Sequence, residues 1–190
     1  MRRRDLEHVI RAAAAIAGER EIVVVGTASL LGAVPDAPPQ LTRSRDVDLY
    51  PLRKPDLAEV IDGAIGEASA FEDQFGYYAH GVGPKTATLP LGWEKRLIKV
   101  QNSNTNDNIG YCLDPHDLAT SKLVAFRDKD KEFVRELLRH GFIWRDTLLA
   151  RIADLPVTQD HKTSITSWIG RQRTPSARSA APRRRRGRGR

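Results

Sequence analysis

The sequence predicts an α+β fold: a small mixed sheet, a helical C-terminal half and a basic tail. Three observations carry this expectation. Short β-branched runs alternate with helical segments over residues 20 to about 110. From residue 114 to about 170 the pattern is helical. Residues 171–190 hold nine arginines and no acid. A chain of 190 residues fits one domain over 1–170, with its sheet core at about 20–110 and its helical part at about 114–170.

The elements follow in order. Residues 4–18 place Leu6, Ile10, Ala13 and Ala14 at helical spacing. Asp5, Glu7, His8 and Arg11 interrupt that apolar face, so the segment is read as a helix and not as a signal peptide. "EIVVV" (21–25) has the β-branched content of a buried strand, which Gly26 ends. "TASLLGA" (27–33) reads as a short helix with Thr27 as a cap, followed by the proline-dense loop "VPDAPPQLTRS". "DVDLY" (46–50) is a second strand, and 56–68 is helical. Strands are expected near "GYYAH" and "TATLP" and over "KRLIKVQ" (95–101), with "NSNTNDNIG" as a loop. Asp114 and Pro115 suit the N-cap and first position of a helical stretch over 114–141, with a break near 127–129 and Gly141 as its stop. Further helices are expected at about 145–153 and 159–170.

Composition narrows the class. Hydrophobic residues are 40% and charged residues 29%, as in an ordinary soluble domain. No apolar run reaches the roughly 20 residues of a membrane span, so no membrane partner is expected. Cys112 is the single cysteine, which rules out an internal disulfide framework and favours a cytoplasmic location. The net charge is +7, and removing the nine tail arginines leaves the first 170 residues at −2. The tail is poor in apolar residues and rich in Pro, Ser and Gly, so it is expected to be disordered and to favour polyanions such as RNA. The histidines are scattered without metal-ligand spacing, and the three tryptophans are expected to be packing residues.

Asp46 and Asp48 are the first chemical signal. On a strand, residues two apart share a face, and Val47 and Leu49 then turn inward. Two carboxylates on one face repel unless a proton or a cation lies between them. Mg²⁺ answers that need, since it takes carboxylate oxygen, phosphate oxygen and water. Such a centre suits phosphoryl or nucleotidyl transfer. Some twenty residues upstream, a buried strand runs into "GTAS", where backbone amides at a turn can meet a polyphosphate. Ser44 adds a hydroxyl two residues before Asp46.

"VVVGTASLLG…SRDVDLY" resembles the paired motif of polymerase-β-type nucleotidyltransferases. "DPHDLATSKLVAFRDKDKEF" resembles the second block of the AbiEii-like branch, which includes the MenT toxins of toxin–antitoxin pairs. There a helical lysine is followed by a basic residue and a Lys-Asp or Arg-Asp pair, matched here by Lys122, Arg127, Lys129 and Asp130. The resemblance covers roughly residues 20–140. It implies that Asp46 and Asp48 hold Mg²⁺ and that Lys122 and Asp130 complete the catalytic set. It implies NTP contacts from Gly26, Thr27, Ser29, Ser44, Lys122 and Arg127. The implied reaction moves an NMP from an NTP to an acceptor, in the MenT relatives a tRNA 3′ end, and a cognate antitoxin is the implied protein partner.

The chain departs from that pattern in three ways. Its turn is Gly-Thr, "VPDAPPQLT" lengthens the link from Gly26 to Asp46, and "RLIKVQN", read as the strand of the usual third carboxylate, carries none. An inactive nucleotide- or partner-binding module, or transfer to a protein hydroxyl, are the alternatives these departures leave open.

Overall fold

Strand β1 (Glu21–Val24) is the centre of a five-stranded mixed sheet. In the computed structural model, which describes residues 1–172, β1 pairs antiparallel with β2 (Asp46–Pro51), placing Val24 opposite Leu49. It pairs parallel with β5 (Ile109–Cys112), placing Val24 opposite Cys112. β3 (Tyr78–Gly81) extends the sheet parallel to β2, and β4 (Ile98–Val100) closes the other edge against β5. The strand order is β3-β2-β1-β5-β4. The expected tail disorder falls, beyond Gln172, outside the described residues.

Alternation along β1 divides the core into two. Ile22 and Val24 point to one face, where they meet Leu6, Val9 and Ile10 of α1 (Arg3–Ala17) and Ile61 of α3 (Ala58–Ile65). Val23 and Tyr50 point to the other face. There they meet α5 (Pro115–Ala125), α6 (Asp128–Arg139), α7 (Arg145–Ala153) and α8 (Gln159–Gly170) through Leu118, Leu137, Leu148 and Ile165. The short α2 (Leu30–Ala33) follows β1, and α4 (Ala70–Phe75) precedes β3. Among the described residues no helix is long and apolar enough to cross a membrane.

Local chemistry sets the boundaries. Gly18, at φ +64°, caps α1 through its N–H to the Ala14 carbonyl. The Asp114 carboxylate accepts from the His116 N–H at 2.8 Å, and Pro115 opens α5 as expected. The break in the long helical stretch falls at Phe126, whose φ of +55° reverses the chain between α5 and α6.

Four expectations are corrected. "TATLP" is irregular, because Gly83, Pro84, Pro90 and Gly92 surround it with residues that weaken or cannot donate to a ladder. The asparagine-rich loop runs into β5, the parallel neighbour of β1. Gly110 within β5 lets α1 approach, since a Cβ there would lie 2.4 Å from Ile10 Cδ1. The helix over 56–68 is shorter, opening with a 3₁₀ turn at Pro55–Leu57 and ending at Ile65. Trp144 is not a packing residue: it is 63% exposed and stacks on His116.

Leu49 is fully buried on β2, on the face opposite Asp48. Leu49→Ala is expected to cost about 2–5 kcal/mol in chemical denaturation. A cost below about 1 kcal/mol would contradict the packing described for this face.

Candidate active site

The site begins where β1 stops. Gly26 holds φ +65° and ψ −168°, a region that residues with a Cβ scarcely enter. A Cβ at this position would lie 2.0 Å from Asp48 Oδ2. The turn Thr27–Ser29 follows, and the Ser29 hydroxyl donates to the Gly26 carbonyl at 2.7 Å. Ser29 is fully buried, so it braces the turn, while Gly26 and Thr27 face the cleft.

β2 supplies the floor. Val47 and Leu49 enter the core, and Asp46 and Asp48 project from the opposite face into an open cleft of about 1150 Å³. Ser44 donates to Asp46 Oδ1. The β2–β3 register sets Asp48 beside His80, and Asp48 Oδ1 lies 2.9 Å from His80 Nδ1. One ligand atom from each of Asp46, Asp48 and His80 lies within 4.8 Å of the others, the one such cluster of three among the described residues. Burial pushes the Asp48 carboxyl above its usual range. The Asp46 charge adds to that push, and the His80 hydrogen bond opposes it.

The facing wall comes from the α5–α6 reversal. Lys122 lies in the last turn of α5, Arg127 caps α6, and Asp130 lies in its first turn. Asp130 is 2% exposed, with Lys122 Nζ at 3.9 Å and Arg127 Nε at 2.6 Å. Burial lowers the Lys122 ammonium, against the pull of Asp130 and Asp48. The Asp130 hydrogen bond raises the Arg127 guanidinium. Lys129 lines the same wall, and the long loop before β2 closes a third side with Gln40, Leu41 and Arg43.

Gly26, Thr27, Ser44, Asp46, Asp48, Lys122, Arg127, Lys129 and Asp130 therefore share one cleft, and the Ser29 side chain does not reach it. The donor set fits a divalent cation: two adjacent carboxylates, one raised by burial and repulsion, stand beside an imidazole nitrogen.

Two expectations change. "RLIKVQN" forms β4, which β1 and β5 separate from β2, so it cannot place a side chain beside the aspartates. The strand that does adjoin β2 is β3, and the residue it brings is His80, one of the histidines read as scattered. The clue in the sequence is the alternation through "YYAHG", and it acquires meaning only once β3 is known to pair with β2.

Gly26→Ala is expected to cost about 1–3 kcal/mol of stability. Replacing Asp48 by Ala as well should recover the part of that cost that comes from the carboxylate contact, while the strain of the positive φ remains. Strict additivity in this double-mutant cycle would show that the carboxylate contact contributes nothing to the cost.

Comparison with known proteins bears on this geometry. Residues 4–161 match the family described as "Nucleotidyltransferase of unknown function (DUF6036)". No curated protein and no solved structure matches the chain. The family match carries the nucleotidyltransferase part of the resemblance and does not reach the AbiEii/MenT toxin branch. With most of its length matched, and with paired aspartates facing a lysine across a cleft, the chain belongs to this nucleotidyltransferase family.

Proposed function

We propose that the protein transfers a nucleoside monophosphate from an NTP to an RNA 3′ hydroxyl, with release of pyrophosphate. The observation that carries this reading is the placement of Asp46 and Asp48 opposite Lys122 in one cleft beside the Gly26 turn. Asp46 and Asp48 would hold a divalent cation, for which Mg²⁺ is the expectation from the carboxylate pair alone. Such a cation, when bound, neutralises phosphate charge and favours attack at the α-phosphorus.

The chain's own groups do the rest. Ser44 fixes one Asp46 oxygen by hydrogen bonding, which leaves the other free to face the cleft. Gly26 keeps the end of β1 clear of the Asp48 carboxylate. Lys122 offers its ammonium to the triphosphate, and Asp130 holds that ammonium in place from behind. Arg127 shares Asp130 and extends the positive wall toward solvent. The acceptor hydroxyl gives its proton to a cleft carboxylate or to water as its oxygen bonds the α-phosphorus and the bond to the pyrophosphate oxygen breaks.

The cleft's volume of about 1150 Å³ leaves room for a second reactant beside an NTP. An RNA acceptor is favoured by Arg43, Lys129 and Arg139 along the cleft and by the nine arginines of residues 171–190. The resemblance to the MenT toxins extends the reading to a toxin with a cognate antitoxin, which an antitoxin-like reading frame beside the gene would support.

The test is incubation of the full chain with a divalent cation, each α-labelled NTP in turn, and total tRNA. Asp46→Asn and Asp48→Asn are expected to abolish RNA labelling, and Lys122→Ala to lower it about 10²–10³-fold. Label on protein would keep the chemistry and change the acceptor. NTP binding with no label on any acceptor would favour an inactive binding module. Labelling retained by Asp46→Asn would overturn the assignment.

A further inference from the structure

We propose that His80 is a metal ligand beside Asp46 and Asp48, and that the site consequently prefers a transition-metal dication such as Mn²⁺ to Mg²⁺. The inference rests on the reading that the two aspartates hold a cation.

Backbone pairing fixes the arrangement. β3 runs parallel to β2, and the register places His80 directly beside Asp48. The imidazole is half exposed, on the wall of the same cleft. Its Nδ1 lies 2.9 Å from Asp48 Oδ1. Two neighbouring ligand atoms of an octahedral ion with bonds of about 2.1 Å stand about 3.0 Å apart. The separation is that of a hydrogen bond, and replacing its proton by an ion would need little movement of either group. Without an ion this contact is a hydrogen bond from Nδ1–H to the carboxylate; ligation would require the tautomer with its proton on Nε2, which frees the Nδ1 lone pair.

The choice of metal follows from the donor atoms. Mg²⁺ favours oxygen and gives up its water reluctantly, whereas imidazole suits the later first-row ions. Mn²⁺ accepts carboxylate and phosphate oxygen, as a nucleotidyl-transfer site requires, and stands above Mg²⁺ in its tolerance of nitrogen. An all-oxygen site here would rest on the two aspartates, with phosphate oxygen and water filling the other positions. Among the described residues no third carboxylate joins the Asp46–Asp48 pair, and His80 alone completes a set of three.

Pulsed electron paramagnetic resonance on the full chain with Mn²⁺ and inorganic tripolyphosphate, which contains no nitrogen, tests this. Directly coordinated ¹⁴N should appear in the wild type and be absent from His80→Asp. Competition titrations should show a Mn²⁺ over Mg²⁺ preference that His80→Asp reduces about tenfold or more. Circular dichroism confirms that the variant is folded, and Asp46→Asn reports the cation site independently. Mn²⁺ bound without nitrogen coupling, with a selectivity that His80→Asp leaves unchanged, would overturn the inference and leave the proposed function standing. Nitrogen coupling that persists in His80→Asp would overturn it too. Failure of the wild type to bind Mn²⁺ any better than Asp46→Asn would overturn both.

Discussion

The site depends on a steric constraint: the Asp48 carboxylate occupies the space that a side chain at residue 26 would fill. β1 and β2 are hydrogen-bonded neighbours with Val24 opposite Leu49, so the end of β1 necessarily passes Asp48. Glycine alone accommodates both the positive φ and the contact. The turn that follows is then held by the Ser29 hydroxyl on the Gly26 carbonyl. Backbone and carboxylate are thus packed together at the floor of the cleft.

The opposite wall solves a different problem. Asp130 is almost completely buried, and a buried carboxylate without partners is costly. Lys122 and Arg127 meet that need from the two sides of the Phe126 reversal. The αL conformation is unfavourable for phenylalanine, but the ring packs against Trp168 and beneath the Lys131 ammonium. Two cations on one acid leave this wall positive. The Asp46–Asp48 floor is negative. Such a division of charge across a cleft suits a ligand that carries both a dication and a polyanion.

How much was legible in the sequence varies with the kind of interaction. β1, β2, α1 and the α5–α6 region announce themselves through β-branched runs, helical spacing and end signals close in sequence. The Asp46–Asp48 pair is legible for the same reason: a period of two needs no knowledge of partners. β5 was hidden because its glycine serves the approach of Ile10, a contact between distant residues. His80 was hidden because its meaning comes from β2–β3 pairing. The strand order likewise could not be read from chain order, which is why "RLIKVQN" was matched to the strand of the usual third carboxylate. The resemblance implied an NTP contact from Ser29; its buried hydroxyl bonds the Gly26 carbonyl within the turn.

The position of β5 beside β1 also has a consequence for biosynthesis. β1 is made early, yet one of its edges stays unpaired until Ile109–Cys112 leaves the ribosome. At about 5–20 residues per second that wait is on the order of ten seconds. Throughout it, the nascent chain presents an apolar strand with open hydrogen-bonding groups, the kind of edge that recruits foreign strands. A truncated product ending before Ile109 would keep that edge permanently. The quality of the final sheet is therefore tied to uninterrupted translation through the segment between β3 and β5.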